Sequence, residues 1–132
     1  MNPNAEAQIE TWFKARLLAM PDAPTFAWPN VKFEGTPTFA EVVFFRNTPS
    51  PLTLDGKHIL RGIVQVTICT ELGAGTAPAN QEAAKFVSLF PAGNVEGAPF
   101  GLAILRRPTI AGAIPDDAFL RTPVSIEYQA SA

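Results

Sequence analysis

Near the N-terminus, apolar residues recur at helical spacing. Ile9, Trp12, Phe13, Leu17 and Met20 fall on one stripe of a 3.6-residue period, with Asn4 ahead of them as a candidate cap and Glu6 in the first turn. The pattern predicts an amphipathic helix from Ala5 to Met20, stopped by Pro21. The stretch from Pro21 to Asn30 carries Pro21, Pro24 and Pro29 together with Phe26 and Trp28, and reads as an extended loop pinned by its aromatics. From Thr38 to Asn47 the period changes to two: Phe39, Glu41, Val43 and Phe45 share one face, and Ala40, Val42, Phe44 and Arg46 the other. Both faces hold large apolar side chains, which fits a central strand or one whose outer face meets another subunit.

The run Asn47 to Pro51 breaks this strand. Leu52 to Leu60 then reads as two short arms around a tight Asp55-Gly56 turn. The strand expected from Ile59 to Thr70 would extend roughly 40 Å, long for a small domain, so part of the hairpin is expected to project beyond the core. Between Thr76 and Phe90, Ala79, Ala83, Phe86, Val87 and Phe90 line a second helical face, with Thr76 as cap, Pro78 in the first turn, and Pro91 and Gly93 ending it. Phe100 to Arg107 and Phe119 to Gln129 read as strands separated by the loop Pro108 to Asp117. Pro123 requires an edge position for the last strand, or an absent N–H that points away from the ladder. The expected fold class is α+β in one domain over residues 1–132: a mainly antiparallel sheet, the N-terminal helix and the second helix packed on one face, and a projecting hairpin.

A chain of 132 residues hides about two-thirds of its unfolded surface on folding, enough for a core without metal or disulfides. Charged residues make up 17%, against roughly one-quarter in typical soluble domains, which suggests either surface covered by partners or proline-rich loops. The net charge of -2 argues against sequence-specific nucleic-acid binding, which draws on clustered Lys and Arg. The N-terminus has no basic region followed by an apolar run, and no apolar run approaches about 20 residues, so neither a signal peptide nor a membrane span is expected.

Candidate chemistry is sparse. His58 is the single histidine and Cys69 the single cysteine, so the chain alone assembles neither a zinc cluster nor a disulfide. His58 sits beside the hairpin turn, where an exposed polar role outweighs that of a general base. Cys69 lies in a strand pattern with no local group to lower its thiol pKa, and reads as a small buried hydrophobe. Gly73-Ala74-Gly75 precedes a helix but lacks the Lys-Ser/Thr of a phosphate loop, and Pro78 deletes an N–H from the turn that would hold an anion. No catalytic residue, metal site or cofactor is expected.

The joint order of these elements resembles the tail terminator-like proteins of long-tailed phages. The likeness is carried by the helix around Trp12-Phe13, the segment Ala27-Trp28-Pro29-Asn30-Val31, and the strand from Phe39 to Phe45. Leu52-Thr53-Leu54, the block Arg61 to Val66, the Gly73 to Thr76 turn, the Phe90-Pro91 stop and the strand Val124 to Gln129 complete it. The resemblance implies a non-enzymatic virion protein at the tail terminus or neck, present in the host cytoplasm during assembly. It further implies a ring of subunits, hexameric on assembly, that caps the tail tube, stops its polymerisation and forms the head–tail joining surface. Partners would be other copies of the chain, the tail tube protein and the head–tail connector protein, with no membrane.

Subunit contacts are then expected on the hairpin, at Leu52, Leu54, Asp55, Lys57 and His58 with Arg61 at its base, and on the 108–117 loop at Ile110 and Ile114. These segments are loop-rich and expected to expose apolar residues. Another neck or connector component is the rival assembly reading. A small-molecule site lined by Trp28, Phe44 and Phe86 is the rival of a different class.

Overall fold

The computed structural model describes residues 3–32, 38–51 and 56–132. The N-terminal helix α1 spans Ala5–Leu18, and the chain then forms a two-residue strand β1, Phe26–Ala27. Strands β2 (Phe39–Arg46), β3 (Ser50–Pro51) and β4 (His58–Glu71) follow, then helix α2 (Ala77–Leu89). The C-terminal part holds β5 (Gly93–Asn94), a 3-10 turn at Pro99–Gly101, β6 (Ala103–Ile104), β7 (Thr109–Ile110), β8 (Ile114–Pro115) and the long β9 (Phe119–Ser131). The class is α+β, as the periodicities predict.

The sheet runs β1-β2-β4-β9-β6-β5, with β3 beside β4, and β7 and β8 beside β9. All pairings are antiparallel except β1 with β2. Its spine is the β4–β9 pair, in register from Ile59 opposite Ser131 to Glu71 opposite Phe119. Because paired residues share a face, the register places Ala40, Val42, Val64, Val66, Val124 and Ile126 on one side. That side receives both helices: Ile9, Phe13 and Leu17 of α1 and Ala79, Ala83 and Phe86 of α2 are buried in the same cluster. Phe13 is the hub, its ring 4.9 Å from Trp12, 5.2 Å from Tyr128 and 5.6 Å from Phe90. Arg46 ties the start of α1 to the end of β2 through ion pairs with Glu10 and, at 3.7 Å, Glu6.

Several expectations are corrected. Asn4 and Thr76 take the N-cap positions as expected, but neither makes a side-chain capping bond, and α1 ends two residues before Met20. Phe26–Ala27 is not loop: with no N–H lost at either residue, it pairs parallel with Ala40-Glu41, and Thr25 O accepts the Ala40 amide at 2.8 Å. Phe100 to Arg107 is not one strand, since Phe100 takes a left-handed φ of 57° inside the 3-10 turn and leaves only Ala103–Ile104 paired. The 108–117 segment is not plain loop, because β7 and β8 both pair with β9.

Pro123 sits in β9 opposite Thr67 of β4. In an antiparallel ladder a residue's N–H and C=O point to the same neighbour, and the Pro123 carbonyl accepts the Ala111 amide at 2.9 Å. Its absent N–H therefore points at the interval between β7 and β8, away from β4. This is the second of the two arrangements that a proline there permits.

The Asp55-Gly56 turn falls partly outside the described residues. Its base is fixed by Ser50 opposite Ile59 and Pro51 opposite His58.

Candidate assembly surface: the uncovered face of the sheet

Both described helices lie on one side of the sheet, so the alternate residues of β2, β4 and β9 form a second face with no helix over it among the described residues. Val43, Ile63, Gln65, Pro123 and Ser125 are half-buried there, and Phe45 is 50% exposed. The face extends sideways through β6 and β8. Leu105 continues the β6 register by donating its amide to Glu127 O at 2.9 Å, and is 47% exposed. Ile114 pairs with Arg121 and is 62% exposed. Half of the large apolar side chains most open to solvent among the described residues thus lie on this face: Phe45, Leu105 and Ile114, with Leu18, Val31 and Leu72 elsewhere.

One end of the face is closed by its own side chains. Phe39 and Phe119 meet edge to face at 5.1 Å. Arg121 pairs with Asp116, reaches Glu41 at 3.4 Å and lies 3.5 Å from the Cys69 sulfur, so one guanidinium clasps β2, β4 and β9. The Arg121 bond and the backbone amides of Phe119 and Ala118 lower the Asp116 pKa to about 2. Burial pushes the Cys69 thiol up, against the opposing pull of Arg121. A buried thiol with a raised pKa is a poor nucleophile, as its strand position suggested. At the other end, Arg61 donates to Gln129 at 3.0 Å and Arg106 pairs with Glu127 at 2.6 Å. The face is therefore a mixed middle, Val43, Ile63 and Pro123 beside the polar Gln65 and Ser125, between two charged margins, an arrangement that suits a protein-binding patch better than a reaction centre.

The expected contact residues are not brought together as one patch. Arg61 and Ile114 lie on this face, exposed. Ile110 is not an exposed loop residue: it pairs with Val124 and packs half-buried against the core on the opposite side. His58 is half-buried, not an exposed hairpin residue, with Nδ1 2.8 Å from Gly56 O, and Lys57 is exposed beside it. Leu52, Leu54 and Asp55 lie outside the described residues. The sequence reading missed Phe45, Leu105 and Pro123 as surface candidates. The alternation of β2 contained the signal for Phe45, but which face the helices take is settled only by packing.

Among the described residues no group of His, Cys, Asp or Glu is placed to hold a metal ion. No helix is long and apolar enough to cross a membrane. Of the residues expected to line a pocket, Phe86 is buried in the core and Trp28 and Phe44 pack against it.

The family model described as phage tail terminator protein matches residues 5–128. The chain belongs to the phage tail terminator family. The terminator family is structural, not enzymatic, so membership makes this subunit a component of phage tail assembly and of the virion tail. A solved structure shares the fold at a TM-score of 0.77, covering 95% of this chain and 94% of its own at 23% identity. That likeness concerns the fold alone. No curated protein matches.

Proposed function

We propose that this terminator subunit joins with its copies into a closed ring, hexameric on assembly, on the end of the completed tail tube. The ring stops further tube polymerisation and offers its other side to the head connector protein. One observation carries the reading: the sheet is covered on one side by both helices, while its other side exposes Phe45, Leu105 and Ile114 around the half-buried Val43, Ile63 and Pro123. Apolar groups exposed on one continuous face are stabilised by a partner that removes them from water. A subunit that meets its neighbour through two different surfaces closes a ring when the rotation closes, and a closed ring ends an open stack. The margin residues Arg61 and Ile114 belong to this contact, together with Leu52, Leu54 and Asp55. Lys57 and His58 lie at the hairpin base.

The test mixes purified protein with tail tubes and images them by electron microscopy. End-bound rings are expected for the native chain, and neither Phe45→Asp nor Ile114→Asp should form them while both remain folded. Binding along tube sides, or rings that persist in both variants, would overturn the reading. Native mass spectrometry of the released rings gives the subunit number.

A further inference from the structure

Arg16 lies on the opposite side of the molecule from the uncovered sheet face, where the end of α1 meets the end of α2. Its guanidinium carbon is 5.7 Å from the Trp12 ring and 5.8 Å from the Phe90 ring, and Nη2 donates to the Leu89 carbonyl at 3.1 Å. Its Nε is buried and has no hydrogen-bond partner among the described residues. The ion pairs of the described residues engage Arg46, Lys85, Arg106 and Arg121, and none reaches Arg16. Arg16 is thus a cation fixed by two rings and a carbonyl, with no described carboxylate in ion-pair contact with it. Beside it runs a groove of about 320 Å³, lined by Arg16, Pro91, Ala92, Asn94, Val95 and Glu96.

We propose that this groove accepts a carboxylate side chain from an acidic segment of a partner protein, with Arg16 as the anchoring cation. With Nε buried and Nη2 held by the Leu89 carbonyl, Nη1 is the donor left to an incoming carboxylate, and a cation already ordered by folding loses little freedom on binding. Asn94 lines the groove with a polar side chain, while Pro91, Ala92 and Val95 offer apolar surface to the peptide that carries the acid. A nucleic-acid strand is the poorer occupant, since it calls for several clustered cations, and here one arginine shares the groove with Glu96 in a chain of net charge -2. Glu96 is the built-in competitor: its carboxylate repels an incoming one and screens Arg16. The proposal does not depend on ring formation.

The experiment titrates ¹⁵N-labelled protein with N-acetyl-aspartate methylamide and follows the Arg16 Nε–H signal and the Asn94 and Glu96 amides by NMR. A saturable shift is expected with the aspartate compound and not with N-acetyl-asparagine methylamide. Arg16→Gln should weaken binding by roughly tenfold or more, the loss of one charge-assisted bond. Glu96→Gln, on an exposed turn and without risk to the fold, should tighten it severalfold. No saturable shift in either the native chain or Glu96→Gln overturns the proposal, as does an equal response to the asparagine compound. Inorganic phosphate shifting the same signals at lower concentration would also overturn it, by making the groove a general anion site.

Discussion

Gly62 is where the sheet is least able to accept one more carbon. A Cβ built there would sit 2.5 Å from the Phe45 carbonyl oxygen, 2.6 Å from Tyr128 Oη and 2.8 Å from Tyr128 Cζ. The Tyr128 ring lies over the glycine from the opposing strand, where Gly62 pairs with Tyr128 and, on its other side, with Arg46. The tyrosine can swing by a fraction of an ångström, but Phe45 O belongs to the backbone of β2 and moves only with the ladder. Gly62→Ala is therefore an overpacking change, expected to cost about 1–3 kcal/mol. For a domain of this size that lowers the midpoint of thermal unfolding by roughly 4–15 °C. The sign is diagnostic, because Gly→Ala without strain stabilises by about 0.4–1 kcal/mol through the unfolded chain. Gly112→Ala is the control: its Cβ meets nothing within 4 Å, so it should be neutral or stabilising. Adding Tyr128→Phe to Gly62→Ala removes the 2.6 Å contact but not the backbone one, so rescue should be partial. Urea and thermal unfolding by circular dichroism measure all four chains. A Gly62→Ala midpoint equal to or above that of the native protein would refute the close-packing argument.

Thr122 is buried and its hydroxyl has no hydrogen-bond partner among the described residues, so Thr122→Val should raise stability in urea by about 1 kcal/mol; a loss of that size would reveal a bound water or an unrecognised partner. Phe13→Ala empties the hub of the aromatic cluster and should cost about 3–5 kcal/mol in the same assay. The Asp116 carboxyl, held by Arg121, should titrate near pH 2 by carbon-detected NMR. Because its folded pKa is depressed, its contribution to stability is complete above about pH 4 and is lost as pH falls through 2. Arg121→Ala should return the titration toward the ordinary 3.8, and a midpoint still near 2 in that variant would assign the shift to the backbone amides instead.

The long elements were legible because their side-chain periods are set by local geometry. Ile9, Phe13 and Leu17 can share a face only on a helix, and the alternations of β2, β4 and β9 only on strands. The two-residue strands were not, because Phe26–Ala27 and Thr109–Ile110 are paired by what lies opposite them and carry no period of their own. The candidate surface was half legible. Periodicity separated Phe45 from Phe44, yet nothing local says that the helices take the Phe44 side, a choice made by the summed packing of Phe13, Phe86 and Phe90. Ile110 was misjudged for the same reason: its neighbours Pro108 and Gly112 read as loop, while its pairing with Val124 carries it to the core.

The break beside Pro123 bears on the company this protein keeps. For a component of phage tail assembly, a long straight strand at a sheet margin would invite any extended segment to dock by backbone hydrogen bonds. Here the margin next to β9 is cut into two-residue pieces, β6, β7 and β8, with a proline in β9 that offers no donor at the gap. An incoming strand finds no continuous template there, so wrong pairing is blocked at that margin before any side chain is consulted.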